Sequence, residues 1–117
     1  MKEFVEYLQG RQRDCLEKAK EMTQDLRVDE GNLEKVRANI FGVFATLAQM
    51  PGKTADFVVG KMEEIPKAWH ESLAKAIQHN DHEKEAQERV KIAAMAEIGA
   101  KFAALEGRGD CDESDEG

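Results

Sequence analysis

The chain has 117 residues, which is the usual size of one domain and is long enough to bury a hydrophobic core without disulfides or a structural metal. Its formal charge of -7 is concentrated at one end, because residues 106–117 carry six acids and one arginine and the rest of the chain carries only -2. No helix-sized segment has the basic excess that phosphate binding requires, so we expect no nucleic-acid partner.

Export and membrane insertion are also disfavoured by the sequence. Charged residues come early in the first seven positions, which leaves no room for the apolar core of a secretion signal. The longest uncharged run, 38–52, has 15 residues and contains Pro51, whereas a spanning helix needs about 20 apolar residues. Cys15 and Cys111 show neither a disulfide pattern nor a C-x-x-C spacing. We therefore expect a cytoplasmic protein with no membrane segment.

The first predicted helix covers residues 2–26. Gln12 interrupts its apolar stripe, either as a solvated gap in a long surface helix or as a polar contact that sets the helix register. The stripe itself follows the 3.6-residue period and consists of Phe4, Leu8, Cys15, Ala19, Met22 and Leu26.

A turn over residues 27–32, with Asp29 as N-cap, predicts the start of a second helix that continues to about Gln49. This helix has the richest apolar stripe in the chain, and Phe41 lies on a flank beside it. Two partly apolar faces indicate two neighbours, so we expect the second helix to be central. The stripe is Leu33, Val36, Ile40, Val43, Phe44, Leu47 and Met50.

Pro51 and Gly52 mark a loop before the third helix. Pro66 lies inside that helix, where proline removes one backbone hydrogen bond and crowds the preceding turn. Because apolar residues keep helical phase on both sides of Pro66, we expect one helix kinked near it rather than two independent helices. Trp69 faces the predicted core, together with Phe44, Leu47 and Ile98.

The fourth helix is predicted to begin after Asp81, its expected N-cap, and to run to residue 106. Its second half is apolar nearly all round. One side carries large residues such as Ile98, and the other carries Ala96, Gly99 and Ala103, which are small enough for a second helix to approach closely. That second face needs a partner.

These elements predict an all-α fold, an antiparallel four-helix bundle whose short links favour up-down-up-down connectivity. The bundle domain is expected to span residues 1–106. Residues 107–117 are acidic and almost devoid of apolar side chains, so we expect them to form a disordered tail. The sequence shows no internal repeat.

Candidate catalytic and metal-binding residues are few. His79 and His82 form the only cluster of possible metal ligands, but a third ligand at fixed spacing is missing, so exposed histidines at a helix junction are the more economical interpretation. Trp69-His70-Glu71 is interpreted as a core tryptophan beside a boundary histidine. The Arg108-Gly109-Asp110 string is interpreted as coincidence. We expect no cofactor and, more readily than an enzyme, a non-catalytic protein.

The surplus apolar surface carries the leading functional hypothesis. Phe41 on the second helix and Ala96, Gly99 and Ala103 on the fourth exceed what one seam per helix requires. They predict interaction with protein, as a homodimer or as an adaptor that binds another helix. Two alternatives stay open: a metal-binding or enzymatic bundle that uses His79 and His82, and a regulator whose acidic tail binds a basic partner.

Overall fold

A computed structural model of the chain contains four α-helices and no strand in its described residues, which confirms the predicted all-α fold. It describes residues 2–52 and 54–105 in full and only the backbone of the last helix beyond residue 105. The expected disordered acidic tail over residues 107–117, and the domain boundary at 106, fall where side chains lie outside the description. The helices are α1 (Lys2–Gln24), α2 (Val28–Ala48), α3 (Ala55–Gln78) and α4 (His82–Glu116).

The helices pack as two antiparallel hairpins, α1 with α2 and α3 with α4. The hairpins meet mainly through α2 and α4, with smaller contacts between α1 and α4 and between α2 and α3. Within the described residues no Cα atom of α1 comes within 8 Å of a Cα atom of α3. The predicted central position of the second and fourth helices is therefore confirmed.

The end of α1 and the start of α2 both differ from the prediction. Leu26 adopts a left-handed conformation with φ of 65° and is 87% exposed, so it does not belong to the apolar stripe of α1. The Arg27 N–H donates to the Met22 carbonyl at 2.7 Å, and α2 restarts at once at Val28. Asp29 consequently lies inside the first turn, and its prediction as N-cap is wrong.

Asp81 confirms the other predicted cap. Its Oδ1 accepts a hydrogen bond from the Lys84 N–H at 3.1 Å, which satisfies one of the free donors at the start of α4. Asn80 before it adopts a left-handed conformation with φ of 56°, which asparagine tolerates better than most residues. This turn sets the direction in which α4 leaves α3.

The apolar core is richest in large side chains where α1, α2 and α4 meet around the Phe4 and Phe102 rings, which pack edge to face with centroids 5.1 Å apart. Phe44 and Ile98 are fully buried as predicted, whereas Leu47 and Trp69 are only half-buried at the rim of the core. α3 runs through Pro66 as one helix, as the unbroken apolar phase predicts.

The pattern of buried positions repeats with a shift of 54 residues along the chain, although the amino-acid identities at these positions hardly repeat. α2 and α4 themselves begin 54 residues apart, at Val28 and His82. The only clear match in letters is Glu-x-Val-base, at Glu34–Arg37 and again at Glu88–Lys91. The two hairpins are thus similar units, a relation that we did not expect from the sequence. Equivalent buried positions are Phe4 and Val58, Glu34 and Glu88, Ile40 and Ala94, Phe41 and Met95, and Phe44 and Ile98.

Two glycines of α2 let α1 approach closely. A Cβ on Gly31 would lie 2.7 Å from the Thr23 hydroxyl and 3.1 Å from the Ala19 carbonyl oxygen, so the backbone contact requires glycine there. A Cβ on Gly42 would lie 2.5 Å from the Gln12 amide nitrogen. Gln12 is half-buried, with its amide beside Gly42 of α2 and one side at the surface, and its side chain makes no hydrogen bond to another described residue.

Candidate interaction surface

Phe41, the first of the predicted interaction residues, is completely buried within the chain. The Tyr7 ring packs against it edge to face at 6.4 Å between centroids. The Arg11 guanidinium carbon lies 5.0 Å from the centre of the same Phe41 ring. The flank of α2 that Phe41 occupies is therefore covered by α1, and Phe41 is not part of an exposed surface.

A polar cluster of Tyr7, Arg11 and Glu97 joins α1 to α4 beside Phe41. The Tyr7 hydroxyl donates to the Glu97 carboxylate, and the Arg11 Nε donates to the same oxygen at 2.8 Å. Burial and the hydrogen bond to Glu97 raise the pKa of Tyr7 to about 12, so the hydroxyl keeps its proton at neutral pH. The sequence of α4 alone does not show that α1 supplies the partners of Glu97.

Acid is expected to weaken this contact between α1 and α4. Burial raises the pKa of Glu97, but hydrogen bonds from Arg11 and Tyr7 outweigh it, and the net pKa lies below its ordinary value of 4.5. Such a carboxylate stabilises the fold above the unfolded-state pKa and loses that contribution as the pH falls through the folded-state pKa. Glu97→Gln should therefore cost up to about 1 kcal/mol at pH 7 and less at pH 3, measured by urea unfolding.

Glu64→Gln is the control for that measurement, since Glu64 is 70% exposed and, among the described residues, pairs only with Lys61 at 3.4 Å. It should change the free energy of unfolding little at either pH. If Glu97→Gln costs the same at pH 3 as at pH 7, the carboxylate does not stabilise this contact through its charge.

The outer face of α4 carries a row of exposed alanines, Ala93, Ala96, Ala100 and Ala103, which we call the alanine seam. Their spacing of three, four and three residues places them at successive a and d positions of a heptad. The buried side chains of the same helix lie on the opposite face. An exposed seam without charge is notable in a chain with 35% charged residues. Ala96 and Ala103 are therefore placed as predicted, while Ala93 and Ala100 were missed.

Gly99 lies beside the alanine seam and is half-buried. A Cβ added to Gly99 would meet no atom within 4 Å, so nothing in the chain itself requires glycine at this position. Glycine in the interior of a helix costs about 0.5–1 kcal/mol relative to alanine. Among the described residues, therefore, no neighbour explains a glycine at this site.

A groove of about 350 Å³ between α3 and α4 adjoins the alanine seam through Ala96; we call it the α3–α4 groove. Its floor is apolar, and its α3 edge carries one acid, one base and one histidine. His70 lies exposed on this edge, as the predicted boundary histidine should. The floor consists of Met62, Pro66, Ile92, Met95 and Ala96, and the edge consists of Glu63, Lys67 and His70.

The equivalent place in the first hairpin also carries a surface pocket, of about 360 Å³, lined mostly by polar residues of α1 such as Gln9, Gln12 and Arg13. Pro66 corresponds to Gln12 and Ala96 corresponds to Gly42 under the shift of 54 residues. The end of the flexible Gln12 side chain lies beside Gly42, whereas Pro66 and Ala96 line the α3–α4 groove. The two hairpins therefore differ in what lines this place, mostly polar residues along α1 and an apolar floor between α3 and α4.

His79 and His82, the weak metal candidates, lie exposed on either side of the turn between α3 and α4. His82 lines a cleft of about 340 Å³ between the first turns of α2 and α4, together with Asp29 and Glu83. Within residues 2–52 and 54–105, no three His, Cys, Asp or Glu side chains are grouped so as to hold a metal ion. The histidines thus do not build a metal centre with the described residues.

Glu88 of α4 is buried to 1% exposure, which the sequence did not indicate. Its Oε1 accepts a hydrogen bond from Lys91 Nζ at 3.0 Å, and Lys84 Nζ lies 3.9 Å away. Its Oε2 has no hydrogen-bond partner among the described residues and lines neither the α3–α4 groove nor the cleft at His82. Glu88 therefore costs stability without forming a visible binding site.

The geometry defines the protein as a four-helix bundle of two similar hairpins. Comparisons with known proteins found no matching family model, no matching curated protein and no matching solved structure. Among the described residues, no helix combines the length and the apolar character that crossing a membrane requires.

Proposed function

We propose that this protein is a non-catalytic interaction module that binds a helix, from a second copy or from another protein, along the alanine seam. The observation that carries this proposal is the exposure of four alanines at heptad a and d positions on one helix. Apolar a and d positions are where one helix receives the side chains of another. On α2 the corresponding positions are Asn39, Gly42, Thr46 and Gln49, of which three are polar and exposed and Gly42 is half-buried beside Gln12.

The α3–α4 groove extends the same surface sideways. Helix-in-groove recognition uses an apolar groove that accepts side chains spaced by three or four residues on the partner. The groove floor supplies Met62 and Met95, whose flexible side chains adapt to different partners. Its α3 edge carries one acid and one base, so partners of either charge are tolerated there.

Site-specific crosslinking tests the proposal with the full chain. A photo-crosslinker attached to Ala100→Cys, in a Cys111→Ser background, is mixed with an extract of cells that make the protein, and the products are identified by mass spectrometry. Cys15 is buried and should not react. We expect discrete products that contain either a second copy or one other protein.

Ala68→Cys is the matched control, because Ala68 is an exposed alanine on α3 that does not line the α3–α4 groove. It should give none of the discrete products. If positions 68 and 100 yield the same set of products, the alanine seam is an ordinary solvated surface and the proposed function is rejected.

A further inference from the structure

We infer that the occupant of the alanine seam is an amphipathic helix of another protein with bulky apolar side chains, not a second copy of this chain. This inference rests on the proposed function and names its partner. Three observations carry it: the size of the seam, the open groove beside it, and the absence of a matching stripe among the described residues.

The alanine seam alone is too small for a stable dimer. Ten residues separate Ala93 from Ala103, so the seam is about 15 Å long and about 10 Å wide, the width of one helix. A specific interface buries at least about 1,000 Å² in total, or about 500 Å² on each partner. Two seams in mutual contact fall short of this area, and the partner must therefore also fill the α3–α4 groove.

Filling the groove requires large side chains. The groove has a volume of about 350 Å³, which is more than methyl groups on a partner helix would fill. A helix lying on the seam directs its a and d side chains between the alanines and its flanking side chains toward Met62 and Ile92. Bulky apolar residues at these positions would bury both surfaces at once.

The described part of the chain does not present such a helix to a second copy. Its exposed large apolar residues are scattered over three helices and two loops, and no two of them lie within two turns of each other on one helix. They are Leu16, Leu26, Val28, Val43, Met50 and Ile77.

Charge on the two edges of the surface restricts the partner further. The α3 edge has Glu63 and Lys67, and the opposite edge of the seam has Glu97 and Lys101. Both edges thus carry charges of both signs, and Glu97 is already paired with Arg11 of α1 while Lys101 lies over the Tyr7 ring. A strongly charged helix gains little from such edges, so the fitting partner has mixed charges of low net value on its polar face.

Fluorescence anisotropy with synthetic helical peptides tests the inference. The probe is a labelled, neutral 21-residue peptide with leucine at a and d of three heptads and Glu and Lys elsewhere, used dilute enough to remain monomeric. We expect saturable binding to the full chain with a Kd of about 100 µM or tighter. The same peptide with alanine at a and d should bind at least about tenfold more weakly.

Two pairs of variants locate the binding site. Ala96→Glu should weaken binding of the leucine peptide by about tenfold or more, because it introduces an unpaired charge, whereas Ala68→Glu should not. Gly99→Ala should weaken it severalfold without loss of stability, because the added methyl group meets only the partner, and Gly60→Ala is its control since its Cβ would also meet nothing within 4 Å. Circular dichroism checks that all four variants remain folded.

Sedimentation equilibrium of the protein without peptide separates the possible failures. A monomer that binds the leucine peptide at the seam supports the inference. Self-association that Ala96→Glu abolishes, together with no peptide binding, overturns the inference and leaves the proposed function intact. A monomer that binds neither peptide, or that binds equally well after Ala96→Glu, overturns the inference; the crosslinking experiment then decides the proposed function independently.

Discussion

Replacing Phe41 by alanine is expected to lower the free energy of unfolding by about 3–5 kcal/mol, the range typical of a fully buried phenylalanine. The ring is completely buried, and both Tyr7 and Arg11 pack on it. Its removal leaves a cavity that helices fixed by close backbone contact at Gly31 cannot readily fill. Denaturant unfolding followed by circular dichroism measures the loss.

Leu16→Ala is the control for this substitution, because Leu16 is 49% exposed. It should cost less than about 1 kcal/mol. If Phe41→Ala prevents folding altogether, Phe41→Leu, which conserves most of the volume, should cost about 1–1.5 kcal/mol. A loss below 1 kcal/mol for Phe41→Ala would mean that α1 does not cover this face of α2, and Phe41 would return as an interaction residue.

Replacing Glu88 by methionine is expected to raise the free energy of unfolding by about 1–2 kcal/mol. The carboxylate is almost fully buried and one of its oxygens is unpaired, so it pays a desolvation cost that its contacts do not repay. Its lysine neighbours are 26% and 49% exposed, so both can turn to water when the carboxylate is removed. Methionine has a similar length and a flexible chain that adapts to the site.

Glu88→Gln separates charge from shape in the same unfolding measurement. The amide keeps the length of the side chain and still buries a polar group, so it should recover less stability than methionine. Glu64→Met, at an exposed position, should change little. A clear destabilisation by Glu88→Met would show that the buried carboxylate is needed to hold the α4 region in place.

Helix existence was predictable because it depends on local pattern. Each helix signal acts on residues close to it in the sequence. These signals are the apolar period, the prolines and glycines of the loops, and the capping side chain of Asp81. The predicted helix boundary was wrong where the backbone conformation overrode the preference of a capping residue. Asp29 is a good capping residue, but the left-handed Leu26 and the early restart of α2 moved the cap to Arg27.

The candidate surface was only partly predictable for a related reason. Ala96 and Ala103 were found because α4 carries more apolar surface than one seam needs, and the structure leaves them exposed. Phe41 satisfied the same criterion, but α1 covers it. A helical wheel shows which faces of a helix are apolar, but it does not show which other helix covers each face.

The sequence by itself determined that this protein is helical, roughly where each helix lies and which side of each helix is apolar, since these properties follow from spacing along one chain segment. Only the tertiary structure decided that Gln12 lies against Gly42 while Pro66 lines an apolar groove beside Ala96, that Glu97 pairs with Tyr7 and Arg11, and that Glu88 is buried. Each of these depends on which residues from distant segments meet, and that is set by the packing of the two hairpins, which acts across the whole chain.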